Sequence, residues 1–325
     1  VSDRYARTMQ AIREHPWAIV PSMLETILEV VEAHAAGGRL SATEIQARLG
    51  DRKDPGPAVM RSGPVAVLAL HGVMAQRMNL FMEISGGTST ELFGKAFDQV
   101  IADPEVQAIV LSIDSPGGSV FGTEELAQKI FAARGTKPIV AVADSLAASA
   151  AYYVGSQADQ FVVTPSGMVG SIGVVMTHDD VSKANEAAGI KTTVIALPLA
   201  KVIGHPYEAL SDEARAEIEA RIAPYYDLFA KAVARGRGVA VKDVKDGYGQ
   251  GRLLAALPAK AAGMVDRIES LADVIDRLSS PQGRRAVLSA RSHEASPTTA
   301  QEPVPATAQE SSPWRDVLQF ELDTL

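Results

Sequence analysis

An α/β fold with a largely parallel sheet is what this sequence predicts, and three observations predict it. Between about Arg61 and Ser280, short apolar runs alternate with segments of helical spacing. The first run, Val65-Ala-Val-Leu-Ala-Leu70, is continuously apolar, as in a strand buried on both faces. The 325 residues are 46% hydrophobic and 22% charged, ordinary for a soluble globular chain with one main core. A strand-helix-strand rhythm of this kind implies right-handed crossovers onto one sheet.

The chain divides into three zones. Residues 1–60 predict a helical arm and linker. Trp17, Met23, Leu24, Ile27, Leu28, Val31 and His34 fall at helical spacing, and Pro21-Ser22 reads as a helix start. Gly37-Gly38 ends that helix, Ser41-Ala-Thr-Glu44 carries a capping-box pattern for a second, and 51–57 is a linker. In residues 61–280, after the first strand, Thr90–Ala102 is a helix, Ala108–Ile113 a strand and Thr123–Ala133 a helix. A strand at Pro138–Ala143, a helix at Ala148–Ala158 and a strand at Gln160–Val163 continue the alternation. Ser211-Asp-Glu opens a long helix with acids in its first turn, and Pro224 predicts a kink or break inside it. Residues 281–325, rich in Pro, Ser, Thr, Ala, Gln and Glu, predict a disordered tail. Its apolar end (Trp314, Val317, Leu318, Phe320, Leu322, Leu325) reads equally as a docking peptide or a sticky terminus.

Composition excludes several classes. A formal charge of −8 argues against a general nucleic-acid binder. With no cysteine there is no disulfide, thiol catalysis or cysteine metal site. No metal or nucleotide motif is visible, so no cofactor is expected. No run approaches a membrane span, and Val1–Val20 lacks the order of a signal peptide, so no membrane partner is expected.

The chemistry concentrates in two segments. Ala143-Asp-Ser-Leu-Ala-Ala-Ser-Ala-Ala-Tyr-Tyr153 sets Ser149 among small residues between a strand and a helix, where nothing bulky blocks an approaching carbonyl. Alone this is weak, since most serines in such turns are merely packing. Upstream, Asp114-Ser-Pro-Gly-Gly-Ser119 comes after another buried strand, so both segments open on the same edge of a parallel sheet, where ligands bind. Beside a plain Pro-Gly turn stands a second reading: an oxyanion hole with Gly117 or Gly118 as one N–H donor and Ala150 as the other. A serine nucleophile needs a base. Outside the arm and tail the histidines are His71, His178 and His205. Lys201, flanked by Leu197, Pro198, Leu199, Ala200, Val202 and Ile203, is the outstanding lysine, although lysines in apolar stretches usually reach to water.

Taken together, Ala143–Tyr153, Ala158-Asp159, Gly170-Ser-Ile-Gly-Val174, Asp114–Ser119, Lys201-Val-Ile-Gly-His-Pro-Tyr207 and Ala262-Gly-Met-Val-Asp266 resemble the signal peptide peptidase A family of serine peptidases, in the same order and over roughly Pro64 to Leu278. Ser149-Ala-Ala in place of Ser-Gly-Gly, His178 and the Lys-Val-x-Gly-x-Pro-Tyr segment point to its phage head maturation branch. The resemblance implies a ClpP/crotonase-like fold and a Ser149–Lys201 dyad. It also implies a ring-like homo-oligomer in which the dyad is shared between subunits, so that a monomer would be inactive. Implied substrates are extended segments of scaffold, portal or capsid proteins, cut in the infected host's cytoplasm or inside the prohead. A Ser149–His178 pair oriented by Asp179 or Asp180 is the alternative mechanism. The competing functions are a non-enzymatic capsid assembly factor, a cytoplasmic peptidase degrading peptides, and, last, a crotonase-like acyl-CoA enzyme.

Overall fold

The computed structural model describes residues 9, 12–13, 15–35, 59–77 and 87–294. The arm helix expected at Ser41–Glu44, the linker 51–57 and the apolar terminus lie outside the described residues. Along the chain, strand β1 (Trp17–Ile19) leads into helix α1 (Pro21–Ala35), with Pro21 at the first helical position, where its missing N–H costs nothing. Strands β2 (Val59–Ser62) and β3 (Val65–His71) pair antiparallel across a turn at Gly63, whose φ of 57° suits glycine. After β4 (Val73–Ala75) and β5 (Gly87–Ser89) comes α2 (Thr90–Ala102), capped by Ser89, whose Oγ accepts the Leu92 N–H at 3.3 Å. Next are β6 (Ala108–Ser115), β7 (Gly117–Ser119), α3 (Thr123–Ala133), β8 (Ile139–Ala148), α4 (Ala150–Gly155), β9 (Gln160–Val163) and β10 (Met168–Gly170). The remainder is α5 (Ser182–Ala187), a 3₁₀ turn at Leu199–Val202, α6 (Asp212–Arg237), α7 (Val241–Gly247), β11 (Leu253–Ala255), α8 (Ala256–Ala261), β12 (Arg267–Ile268), α9 (Leu271–Ser279) and α10 (Pro281–Glu294).

The main sheet has the order β11-β10-β8-β6-β3-β2, and β3, β6, β8 and β10 run parallel. Strand β8 is long enough to serve two neighbours: Val140–Ala143 pairs with β9 and Leu146–Ala148 with β10, both parallel. The α/β class with a largely parallel sheet is therefore as the sequence predicts. A second sheet, β1-β7-β4-β5, stands at the edge where β6 ends. Side chains alternate between two cores. Ala66, Leu68, Leu70, Ile109, Leu111 and Ile113 face the helices α2, α3, α4 and α6, while Val65, Val67, Val110 and Val140 face α9 and α10. That double burial is why the strands read as unbroken apolar runs.

Four expectations are corrected here. Residues 281–294 do not begin a disordered tail: they form α10, whose Val287 is buried in the second core against α9 and the strands. One such side chain stabilises by about 2 kcal/mol, enough to fix a short helix on a formed surface. Trp17 belongs to β1 and not to the helical stripe of the arm. The arm itself is no separate appendage, because Trp17, Ile19, Leu24 and Ile27 pack on Val73. Helix α6 continues through Pro224 without the break that is one of the two expected outcomes. Pro224 and Ala220 are both exposed, so the carbonyl that loses its partner faces water.

Helix α6 is locked to the sheet at its C-terminal end. Arg237 donates to Asp266 Oδ2 at 2.9 Å and to the Gly263 carbonyl at 3.1 and 3.2 Å, while Asp266 Oδ2 accepts the Phe161 N–H at 2.6 Å. Burial opposes the Arg237 charge, but the Asp266 hydrogen bonds outweigh it and hold the guanidinium above its ordinary range. Arg237→Ala strands a half-buried carboxylate and is expected to cost about 3 kcal/mol, read as a lower urea midpoint at unchanged slope.

Candidate active site

Strands β6 and β8 are parallel neighbours, with Ser115 beside Ala147, so the loops at their C-terminal ends emerge on one edge. Ser149 sits there, fully buried, at φ 52° and ψ −119° between β8 and α4. Its N–H donates to the Gly170 carbonyl at 2.7 Å, its own carbonyl accepts the Tyr153 N–H at 2.9 Å, and its Oγ meets the Gly173 carbonyl at 3.4 Å. A non-glycine residue held at positive φ costs about 1–3 kcal/mol and persists only where its surroundings impose it. Such a sharp strand-to-helix turn pushes a serine hydroxyl clear of its own backbone, as a nucleophile requires.

Helix α4, directly after the serine, holds the strain in place. Tyr152 is buried and donates its hydroxyl to the Met264 carbonyl at 2.9 Å; burial pushes that phenol far up, so it stays neutral. Tyr153 stacks on Phe229 at 4.5 Å and hydrogen-bonds Glu124. The two rings pin α4 between α6, α3 and the segment that follows α8. Its first N–H groups, Ala150 leading, have no carbonyl within the helix to bind. Small neighbours complete the geometry: Ala147, Ala148, Ala150 and Ala151 are all buried, so the turn has no room for larger side chains.

Gly117 and Gly118 come up against this turn. Gly117 has φ 98°, and a Cβ there would meet the Ala18 carbonyl oxygen at 2.2 Å and the Ser149 Cβ at 3.0 Å. A Cβ on Gly118 would meet the Met74 carbonyl oxygen at 1.9 Å, so neither position admits a side chain. The Gly117 N–H donates to Ser115 Oγ at 3.1 Å, and that hydroxyl donates to the Gly72 carbonyl at 2.6 Å. This leaves Gly118, paired with Ala18 of β1, as the loop's candidate donor. Ser115, which orients the loop, carries no sequence signal beyond its place in the Pro-Gly-Gly motif.

The expected bases lie elsewhere. Lys201 is exposed on the 3₁₀ turn, among Ile195, Leu197 and Leu199, which are 90%, 93% and 70% exposed. His178 Nε2 lies 3.2 Å from the His205 carbonyl oxygen. Asp179 is ion-paired with Arg13 at 2.5 Å, and Asp180 accepts from the Ser182 N–H and hydroxyl at 2.9 and 2.5 Å. Among the described residues of one protomer, neither Lys201 nor His178 hydrogen-bonds Ser149. Thus Ser149, Gly117, Gly118 and Ala150 converge, and among the described residues neither Lys201 nor His178 joins them. Among the described residues no cluster of three His, Asp or Glu could hold a metal, and no helix is long and apolar enough to cross a membrane.

A buried serine on a strained turn beside a Pro-Gly-Gly loop, at one edge of a parallel α/β sheet, is a candidate serine-nucleophile site. Residues 132–284 match the model of peptidase family S49. Capsid assembly protease C of Escherichia phage lambda is 32% identical over 294 residues, covering 85% of this chain and 66% of that protein. Head-tail preconnector protein GP5 of Enterobacteria phage P21 is 32% identical over 211 residues, 65% of this chain and 42% of that protein. A putative signal peptide peptidase SppA of Enterococcus faecium is 27% identical over 217 residues, 66% of this chain and 62% of that protein. The chain belongs to peptidase family S49, with relatives in both its phage and its signal peptide peptidase branches. It spans 66% and 42% of the two phage relatives it matches.

Proposed function

We propose that this chain is a serine endopeptidase of capsid assembly, built on the ClpP/crotonase-like plan, with Ser149 as nucleophile and Lys201 of a second copy as base. The observation that carries the reading is Ser149 itself, buried at φ 52° beside Gly117 and Gly118. In the reaction, Ser149 Oγ attacks the peptide carbonyl carbon while the Lys201 amine takes its proton. Gly118 and Ala150 N–H groups hold the developing oxyanion. The C–N bond then breaks, Lys201 returns the proton to the leaving amine, and an acyl-Ser149 ester remains. Water attacks the ester, Lys201 takes its proton and passes it to Ser149 Oγ, and the acid leaves.

Similarity to phage capsid proteins supports scaffold, portal or capsid segments as substrates, cut in the host cytoplasm or the prohead. The exposed apolar residues around Lys201 support assembly into a homo-oligomer, whose contact would cover this segment. The test is to incubate the protein with an unstructured polypeptide, and separately with the structural proteins of its phage, and to map the fragments by mass spectrometry. Wild type is expected to produce defined fragments and Ser149→Ala none. Equal cleavage by both would overturn the reading, and intact substrates with both would leave an assembly factor.

A further inference from the structure

The edge beside Ser149 is already filled, and its occupant is the chain itself. Strand β1 lies between two segments that flank the nucleophile. On one side it runs antiparallel to β7: the Val20 N–H donates to the Pro116 carbonyl at 2.9 Å and the Val120 N–H to the Pro16 carbonyl at 3.5 Å. On the other side Trp17 and Val175 exchange both backbone bonds, at 2.9 and 2.8 Å. Val175 comes soon after Gly173, the residue whose carbonyl meets Ser149 Oγ.

The register fixes what β1 presents. Hydrogen-bonded pairs alternate along an antiparallel ladder, so with Val20/Pro116 and Pro16/Val120 bonded, the Ala18/Gly118 pair between them is bonded too. The Ala18 carbonyl therefore accepts from Gly118, the loop's candidate oxyanion donor. That same oxygen and the Ser149 Cβ both crowd the point where a Gly117 Cβ would stand, and so face each other across one glycine. Beside Ala18 lies a small cavity of about 20 Å³ lined by Ala18, Thr123, Tyr153, Val174 and Phe229. His15 tethers the strand, with Nε2 2.8 Å from Ser119 Oγ and its ring packed on Trp17 and Phe121 at 4.8 and 5.0 Å.

We propose that β1 is a built-in stand-in for the substrate strand: it covers the cleft between β7 and Val175, sets the Ala18 carbonyl where a scissile carbonyl would lie, and must withdraw before an extended peptide can bind. An incoming peptide gains the same backbone bonds by strand addition, and over a longer stretch than the three residues of β1, which lets it displace that strand. The inference rests on the assignment of Ser149 as nucleophile, but its test does not need catalysis.

The chain has no cysteine, so a disulfide can pin the strand without competitors. Trp17 and Ser119 form a non-hydrogen-bonded pair, at a Cα spacing of about 4.5 Å that a disulfide bridges. In full-length Trp17→Cys/Ser119→Cys, oxidation is expected to cut cleavage of an unstructured polypeptide at least tenfold, with recovery on reduction. The same pair in a Ser149→Ala background should lose binding of a fluorescent unstructured peptide when oxidised and regain it when reduced. Ala18→Pro, which removes the N–H that β1 gives to Gly118, should lower KM severalfold with little change in kcat, and covers the case in which the cysteine pair does not fold. Equal peptide binding by oxidised and reduced protein, or an unchanged or raised KM in Ala18→Pro, would overturn the proposal. No cleavage by wild type or by any variant, with redox-dependent peptide binding retained, would instead overturn the peptidase reading and leave the stand-in strand in place.

Discussion

Ser149→Ala is expected to lower peptide cleavage by about a thousandfold or more while leaving the thermal midpoint almost where it was. The alanine keeps the Cβ that the strained turn already accommodates. What it loses is one long hydrogen bond, Oγ to the Gly173 carbonyl at 3.4 Å. Ser149→Gly is expected to be equally inactive but to be about 1 kcal/mol more stable than the alanine variant, because a glycine has no Cβ to be forced to φ 52°. The pair separates chemistry from architecture: both variants silent, with the glycine form the more stable, marks a residue kept for its hydroxyl at the expense of stability. An alanine variant destabilised by several kcal/mol would make Ser149 a packing residue, and urea unfolding of the three proteins side by side decides between the two.

How much of the fold is legible in the sequence depends on the range of the forces involved. Helices α2 and α3 are readable to both ends, since local signals set them: Ser89 as cap with Glu91 behind it, and Glu124 and Glu125 in the first turn of α3. The strand that delivers the serine reads as ending at Ala143, but it continues to Ala148. Asp144-Ser-Leu146 resembles a turn until β10 arrives to pair Met168 with Leu146. The helix expected from Ala148 starts two residues later for a related reason: the bond from the Ser149 N–H to the Gly170 carbonyl forces the positive φ that interrupts it. Strand β1 is invisible because three residues carry no period, and their partner Ser119 is about a hundred positions away. The site's chemistry, by contrast, is written locally. Pro-Gly-Gly and the alanine-flanked serine each need particular small residues wherever the chain goes afterwards.

Lys201 reads as a base because its neighbours are apolar, and in one protomer those neighbours are exposed. Leu197 and Ile195, at 93% and 90% exposure, are side chains that water disfavours, and Lys201 beside them makes no hydrogen bond to Ser149 among the described residues. One arrangement resolves both difficulties, a second copy covering this segment and bringing Lys201 to its own Ser149. Lys201→Ala is then expected to lose about a thousandfold in cleavage, within the range that removal of a general base produces, with Ser149 and its turn undisturbed. His178→Ala should stay within a few-fold of wild type, since His178 is engaged with the His205 carbonyl and its neighbouring aspartates with Arg13 and Ser182. Mixing inactive Ser149→Ala with inactive Lys201→Ala is the sharper measurement. Random exchange in equal proportions gives about a quarter of the interfaces both intact residues, so about a quarter of wild-type activity should return. Mixtures that exchange subunits yet stay inactive would confine serine and base to one chain, and an inactive His178→Ala beside an active Lys201→Ala would transfer the proton to the imidazole. Loss of specific activity on dilution, at a concentration where sedimentation shows the assembly coming apart, would support the same proposal, that a second copy covers the apolar segment and supplies the base.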